Sequence, residues 1–580
     1  MKKQFWKRLK NIFNPYKKII IIIIFIAIFI NIIEVVKPYL IKIIIDDYLS
    51  IGIFEKAGIT ISMIGIFYIA ITLISSLLDL TIITITNRVG ENVSYELREK
   101  LYKYIQYANI KFHDKAPAGK LFVRMTNDIE DISSLFKECL NKFVKNIIMI
   151  IAIAVMMFNI NYQLALISIV IMPLLIITSI ILTKLSNYYH DKRSSIRTKI
   201  NTFLSESIYG IKLIKIFNKQ KIEEKQSENL CNTILNPEIK LGIIDGILPG
   251  LITFFQNLGI SIICFVCIYQ FFSIKIEVGI LYVFITYLRE IFYPINRIIE
   301  NFETIQSAVV AINKVYEIIE KKEFLEDYSD KKDINQIKGK IEFKNVWFAY
   351  EGENWVLKDV SFIVNPGESI ALVGKTGSGK TTITNLLNRF YEIQKGEILL
   401  DGINIKEINI KSLRQKIGVI LQDPFIFARS IKENIQLSNE FSKEKIQQAI
   451  SLASADEFIK SLPNGIDEIA KERGEAYSAG QKQLIAFARV FAHNPSIFIL
   501  DEATANIDTK TEEFIQKSVD LISKNKTSIF IAHRLSTVVN VDKIIVLSNG
   551  KIVEQGNHKT LIQQGGIYSK LYKYGSLDID

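Results

Sequence analysis

The chain has 580 residues, of which 49% are hydrophobic and 23% charged, with a formal net charge of +11 and a mean hydropathy of +0.23. That length exceeds one ordinary folding unit, and the density of large apolar side chains excludes a disordered chain. Four cysteines (Cys139, Cys231, Cys264 and Cys267) are too few to staple a secreted scaffold of this size.

The N-terminal stretch, residues 1–18, carries Lys2, Lys3, Lys7, Arg8, Lys10, Lys17 and Lys18 and no acid, and an apolar run follows directly. The run 19–45 is too long for a secretory-signal core and has no small-residue cleavage site, so it reads as an uncleaved membrane anchor. A helix needs roughly 20 mainly apolar residues to cross a ~30 Å hydrocarbon core. Six stretches qualify as crossings: 19–45, 59–85, 145–160, 163–183, 248–272 and 278–299. Glu34, Lys37 and Pro38 interrupt the first, so its second half is expected to face protein or a wet cavity.

The connections alternate in length and charge. Residues 46–58, 159–162 and 273–277 are short and nearly free of basic side chains. Residues 87–146 and 184–246 are long and basic, with Arg88, Arg98, Lys100 and Arg124 in one and Lys192, Arg193, Arg197 and Lys199 in the other. The positive-inside rule then places the N-terminus, both long connections and everything after residue 300 in the cytoplasm. Both long connections keep helical spacing, as in Val93, Leu97, Leu101 and Ile105, and contain few Gly. They are expected to continue the membrane helices into the cytoplasm and turn back through short transverse pieces near 112–118 and 208–217. Two small cytoplasmic helical domains are the alternative. Basic patches at this position suit anionic lipid head groups and not nucleic acid.

A basic N-terminus (1–18) thus precedes a six-helix membrane domain (19–319), and a charged linker (320–337) leads to an α/β unit (338–580). In that last unit short β-rich runs, 341–343 and 360–364, give way to alternating strands and helices.

Its strongest signal is Gly374-Lys375-Thr376-Gly377-Ser378-Gly379-Lys380-Thr381, a phosphate loop between an apolar strand, 369–373, and a helix, 382–389. The glycines let backbone N–H groups curl round phosphate at a helix N-terminus. Lys380 supplies charge to the β- and γ-phosphate oxygens, and the Thr381 hydroxyl is a ligand for Mg²⁺. The expected companion is Ile497-Phe498-Ile499-Leu500-Asp501-Glu502, a buried parallel strand delivering two acids at its C-terminal end. Asp501 is placed for the Mg²⁺ shell and Glu502 for polarising an attacking water. His533 follows another apolar strand, 528–532.

With those motifs the α/β unit resembles the nucleotide-binding domain of an ATP-binding-cassette (ABC) transporter, and the helical unit resembles the membrane domain of its exporter branch. The diagnostic segment is Tyr477-Ser478-Ala479-Gly480-Gln481, followed by Lys482-Gln483-Leu484 and Ala488-Arg489, which is similar to the family's signature. The resemblance implies that Tyr350 stacks on adenine and that Thr382 joins the phosphate-loop residues in binding ATP. It makes Gln422 the residue joining Mg²⁺ and water to the membrane domain, and makes Ser478, Gly480 and Gln481 ATP contacts. It further implies that Asp508 belongs to the D-loop and that His533 is the switch residue on the γ-phosphate. Catalytic roles then fall to Glu502, His533, Lys380 and Gln422, and metal ligation to Thr381, Gln422 and Asp501. His113-Asp114-Lys115 with Pro117-Ala118-Gly119 and Thr126-Asn127-Asp128 resembles the first coupling region; Glu206 with 210–215 resembles the second; and Glu472-Arg473-Gly474 resembles the exporter segment that meets them.

One phosphate loop and one signature make a half-transporter. In the family each ATP lies between the loop of one chain and the signature of the other, so a second half-transporter is expected. The family pattern is Leu-Ser-Gly-Gly-Gln, whereas Tyr477 and Ala479 stand here while Lys380, Asp501, Glu502 and His533 are intact. A Cβ at 479 is expected to crowd phosphate and to restrict positive φ. That pairing favours a heterodimer, with a tolerant homodimer as the alternative. The implied activity is ATP-driven export of a hydrophobic or amphipathic molecule, drug-like or lipid, by alternating access across a bacterial plasma membrane. A lipid flippase or peptide exporter of the same architecture, or an ATP-gated channel, are the rivals. Cys264-Phe265-Val266-Cys267 lies in an apolar helix and reads as packing, while Asp79, Arg289 and Glu290 are intramembrane charges expected to line a cavity or pair.

Overall fold

The computed structural model describes residues 2–49, 55–56, 59–274, 277–321, 331–437, 439–501, 509–524, 526–531 and 538–573. By contacts the chain divides into Met1–Gln106 with Ala116–Glu323, and Tyr107–Lys115 with Phe324–Asp580.

Among the described residues of the first unit, five helices are long and apolar enough to cross a bilayer: Gln4–Leu49, Ile61–Tyr107, Tyr162–Tyr209, Gln220–Ile268 and Val278–Ile295. A sixth, Val144–Ile160, is apolar but shorter, and continues directly from the π-helical turn Leu135–Phe143. The long connections are continuations of these helices, as the spacing predicts. Ile61–Tyr107 runs 47 residues, Tyr162–Tyr209 runs 48, Gln220–Ile274 runs 55 and Val278–Ile319 runs 42. At 1.5 Å per residue the first of these is about 70 Å long, more than twice the hydrocarbon thickness. The transverse pieces are Ile110–Lys115 and Ile211–Ile216, slightly shorter than the expected spans.

Between Val144–Ile160 and Tyr162–Tyr209 the reversal takes one non-helical residue. Asn161 leaves the helical region and its side chain accepts from the Gln163 and Leu164 amides at 3.0 and 3.1 Å, satisfying two donors at the helix start. The connection after the first crossing holds a short hairpin of two residues per strand, β1 (Glu55–Lys56) against β2 (Ile59–Thr60). The basic N-terminus is itself helical, Lys2–Phe13, and Arg8 fastens it to the last helix through Glu320 at 2.5 Å and Asn313 at 3.0 Å. Cys267 lies in the apolar core with Phe255, Ile263 and Phe284, which accords with packing.

The second unit has two sheets. β3 (Ile341–Ala349), β4 (Trp355–Val364), β6 (Lys395–Leu400) and β7 (Ile403–Asn404) form an antiparallel sheet in the order β4-β3-β6-β7. β5 (Ser369–Val373), β8 (Ile417–Ile420), β9 (Ile497–Asp501), β10 (Thr527–Ile531), β11 (Lys543–Ser548) and β12 (Lys551–Gly556) form the other, in the order β12-β11-β5-β10-β9-β8. There β8, β9, β10, β5 and β11 are parallel and β12 is an antiparallel edge. Parallel strands covered on both faces are apolar throughout, and β5 and β10 are fully buried. A helical portion, including Ile431–Gln436, Lys443–Leu452 and Ala479–His493, shares one core with Phe498, Leu500 and Phe530.

In the membrane unit Pro38 removes a donor from the first crossing helix one turn after Val35. Fully buried Tyr287 donates its hydroxyl to the Val35 carbonyl at 2.6 Å, tying the sixth crossing to that point. Tyr287→Phe would leave the carbonyl without this donor at a cost of about 1–2 kcal/mol. The expected result is an apparent Tm a few degrees lower in a thermal-unfolding series; an unchanged Tm would assign the hydroxyl no structural role.

Candidate active site

β5 delivers the phosphate loop. Gly374 ends the strand at a point where a Cβ would overlap the Leu547 carbonyl oxygen, and Gly379 holds φ +107° as the cap of helix Lys380–Leu387. Side chains strongly disfavour that backbone geometry, so the glycines are required by shape. Lys375, Thr376 and Gly377 form the exposed crest, while Ser378 and Lys380 are buried beneath it. The helix begins at Lys380, two residues before the predicted start, so Thr381 and Thr382 stand in its first turn. Lys380 donates to the Gly374 carbonyl, folding the ammonium back across the loop. The Ser378 hydroxyl is buried with no hydrogen-bond partner among the described residues. A buried orphan oxygen in a ring of helix-terminal amides fits a phosphate, which brings acceptors and displaces the lysine's internal bond.

Tyr350 reaches the same loop. Its hydroxyl lies 3.1 Å from the Thr382 hydroxyl, and its ring meets Phe348 and Tyr391 edge-on at 4.8 and 5.0 Å. Tyr391 in turn donates to Asp114 of the transverse helix Ile110–Lys115, and Lys115 pairs with Glu351 at 3.1 Å. Burial, and then the bond to Asp114, pushes the Tyr391 phenol above its ordinary range. Sequence spacing did not reveal this chain of contacts, since it joins residues 277 apart. Residues 107–115, expected to belong with the membrane helices, pack with the ATPase unit.

Asp501 closes β9 at the carboxyl edge of the parallel sheet. In register, Asp501 faces Ile531 and Ile531 faces Leu372, so β10 alone separates the acid from the strand that feeds the loop. Two strand spacings put them about 10 Å apart, a gap that side chains and phosphates fill. Glu502, Asp508 and His533 lie outside the described residues. Gln422 is exposed at the end of β8, and its backbone carbonyl is fixed by the Gln483 side chain at 2.9 Å, which also holds the Leu421 carbonyl at 3.1 Å. Gln483 is 1% exposed within a helix face of Leu484, Ile485 and Phe487; a lone amide in an apolar run was the available signal for it. Thr381, Asp501 and Gln422 carry oxygen donors, the ligand type that Mg²⁺ prefers.

The signature residues sit elsewhere. Ser478 caps helix Ala479–His493, its hydroxyl accepting from the Gln481 amide at 3.2 Å while the Gln481 side chain accepts from the Ser478 amide at 2.9 Å. Each of these two side chains is hydrogen-bonded to the backbone amide of the other residue, and among the described residues no hydrogen bond joins them to the phosphate loop. Gly480 is buried in the helix's first turn. Tyr477 anchors the segment, its ring edge-on to Phe458 at 5.5 Å against the core, so the larger side chain is absorbed. Ala479 opens the helix and is not among the non-glycine residues with positive φ. The expectation that a Cβ there strains the backbone is therefore corrected: a first helical turn has ordinary right-handed angles. Arg473 and Gly474 do turn left-handed, at φ 53° and 64°. On the membrane side Asp128 is buried against Arg124, and Ile211–Ile216 has no buried residue, with Leu213 and Ile216 62% and 70% exposed. Asp79 pairs with Lys145 at 2.5 Å.

Gly379→Ala forces a side chain into φ +107° and sets its Cβ 2.6 Å from Leu357 Cδ2. Strain of this kind costs about 1–3 kcal/mol, so titration with a fluorescent ATP analogue is expected to show at least tenfold weaker binding. Unchanged affinity would mean that the loop does not use this geometry for phosphate.

The membrane half matches the family model described as the ABC transporter transmembrane region over residues 20–295, and the second half matches the ABC transporter model over 357–505. A putative ABC transporter ATP-binding protein, exp8, of Streptococcus pneumoniae is 34% identical over 98% of this chain and 96% of its own length. The probable multidrug resistance ABC transporter ATP-binding/permease protein YheH of Bacillus subtilis is 37% identical over 83% of this chain and 72% of its own. An ATP-dependent lipid A-core flippase of Syntrophus aciditrophicus is 32% identical over 84% and 81%. A solved bacterial Atm1-family ABC exporter with ATP bound superposes with a TM-score of 0.78 at 25% identity, over 97% of this chain and 98% of that one. With a helical membrane region and a phosphate-loop ATPase in one polypeptide, the chain is a multi-pass membrane protein of the ABC transporter family, built as an ATP-driven exporter.

Proposed function

We propose that the chain is one half of a dimeric exporter of hydrophobic or amphipathic molecules, and that its partner is a different half-transporter. The observation that carries the dimer is that Ser478 and Gln481 are spent on a helix cap and, among the described residues, share no hydrogen bond with the loop 374–381. A second chain bringing its own signature over this loop would complete the site. The intact loop beside an altered Tyr477 and Ala479 supports an unlike partner, although the helical backbone at 479 removes steric strain from that argument. The names of the multidrug, lipid A-core and fatty acid transporters among the relatives support an amphipathic cargo. The basic N-terminus and long basic extensions support a cytoplasmic ATPase part (338–580), joined by the linker 320–337 to a membrane part (19–319) in a bacterial plasma membrane.

In this reading Tyr350 stacks on adenine and the amides of 374–381 hold the phosphates. Lys380 exchanges the Gly374 carbonyl for a phosphate oxygen, and the Ser378 hydroxyl gains the partner it lacks. Mg²⁺, held by Thr381, Asp501 and Gln422, supplies neutralising charge at the β- and γ-oxygens. Glu502 orients the attacking water, while His533 and Asp508 contact the γ-phosphate and the opposite subunit. ATP adds contacts only in the closed dimer and so shifts that equilibrium. Tyr391 and Asp114 pass closure to the helices, which move as rigid bodies in alternating access.

ATP hydrolysis by the chain alone in lipid nanodiscs, beside Glu502→Gln, tests the reading. Silence alone with activity restored by a second half-transporter supports the heterodimer; brisk activity alone that Glu502→Gln abolishes establishes a homodimer instead. Fast turnover retained in Glu502→Gln would remove that residue from catalysis. Asp114→Ala is expected to keep hydrolysis within about twofold while uphill accumulation in vesicles falls at least fivefold; parallel loss of both would place Asp114 in folding and not in coupling.

A further inference from the structure

Within the membrane unit a cavity of about 560 Å³ opens among the first, second, third and sixth crossings, in the size range of small-molecule sites. Charged and polar residues recur along its wall beside apolar surface, an expensive lining at this depth. Most of its charges are answered within the protein. Lys145 pairs with Asp79 at 2.5 Å, Lys142 with Glu138 at 3.3 Å, and Glu34 with Lys37 at 2.7 Å.

Two acceptors on this wall are not answered. Asn31 is 1% exposed, and its NH₂ group is used on the Lys145 carbonyl at 2.9 Å, which leaves Oδ1 buried with no donor among the described residues. Glu290 Oε2 is likewise buried without a donor, and its charged neighbours are Glu34 and Lys37, already joined to each other. A buried acceptor left unpaired costs about 1–3 kcal/mol, and more when charged. Both orphans are acceptors, so what the cavity lacks at these two points is N–H or O–H donors.

We propose that this cavity binds the primary ammonium group of an amphipathic molecule, which donates to the Glu290 carboxylate and the Asn31 amide oxygen. An ammonium carries three donors, enough for both oxygens, and its charge opposes that of the Glu290 carboxylate. Ile83 and Met149 on the same wall provide apolar surface for the attached chain. The inference rests on the reading that the protein exports amphipathic molecules. A soluble amine and an amino-phospholipid head group present the same chemistry.

The test uses the full chain in phosphatidylcholine nanodiscs, whose lipid has no N–H donor, without nucleotide. Binding of monodansylcadaverine, a fluorescent primary amine, is compared with that of its uncharged N-pentyl dansylamide analogue. The amine is expected to bind at least tenfold more tightly. Glu290→Gln and Asn31→Leu are each expected to weaken the amine at least fivefold and leave the neutral analogue unchanged, with Glu290→Asp retaining part of the preference. Equal affinity of the two probes for the unaltered protein overturns the proposal and requires no variant. Competition by added phosphatidylethanolamine assigns the site to a lipid head group, and its absence assigns the site to a soluble amine. Because no ATP is present, failure of hydrolysis or uphill transport would reject the export reading while leaving this binding result intact.

Discussion

Hydrocarbon offers no partner for a backbone N–H or C=O, so a segment that crosses a bilayer has to answer every such group within its own helix. Much of this chain's architecture follows from that constraint. Once a helix is closed along its length, nothing stops it at the membrane surface, and four helices continue for 42 to 55 residues. Side chains support the backbone at two points along the crossing helices. Asn161 caps the helix start at the tight reversal, and Tyr287 donates beside Pro38. Short helices, Ile110–Lys115 and Ile211–Ile216, follow the ends of two of the long helices.

The ATPase unit obeys a different constraint, the need to bring backbone amides close to a highly charged ligand. Glycines at 374 and 379 take conformations that a side chain would obstruct, and the parallel order β5-β10-β9 sets the acid one strand from the loop. Gln483 ties helix Ala479–His493 to the carbonyls of Leu421 and Gln422, so the helix and that backbone move together. Tyr391 provides a comparable link on the other side, between Tyr350 and Asp114.

In the membrane unit, polar groups are affordable only when paired. The pairs Asp79–Lys145 and Glu34–Lys37 meet that condition, and their presence makes the unanswered oxygens of Asn31 and Glu290 informative. Isolated buried acceptors at this depth point to what is missing more sharply than any count of charges.

By itself the sequence determined the elements whose signal is local. Apolar runs of bilayer length, the charge difference between short and long connections, the loop 374–381 and the strand ending in Asp501 are each written in contiguous residues. Helical spacing through 87–107 also announced that the second crossing continues beyond the membrane, though not that it ends at Tyr107. What only the tertiary structure decided depends on residues far apart in the chain or on the backbone angles at one position. Ala479 takes ordinary helical angles because Ser478 caps a helix there, which composition could not show. Tyr391 finds Asp114 across 277 residues, and Asn31 shares a cavity with Glu290 across more than half the membrane unit. Hydrophobic periodicity encodes which face of an element is buried; which distant polar group that face then meets is set by packing, and the chemistry of the cavity and of the coupling contact arises there.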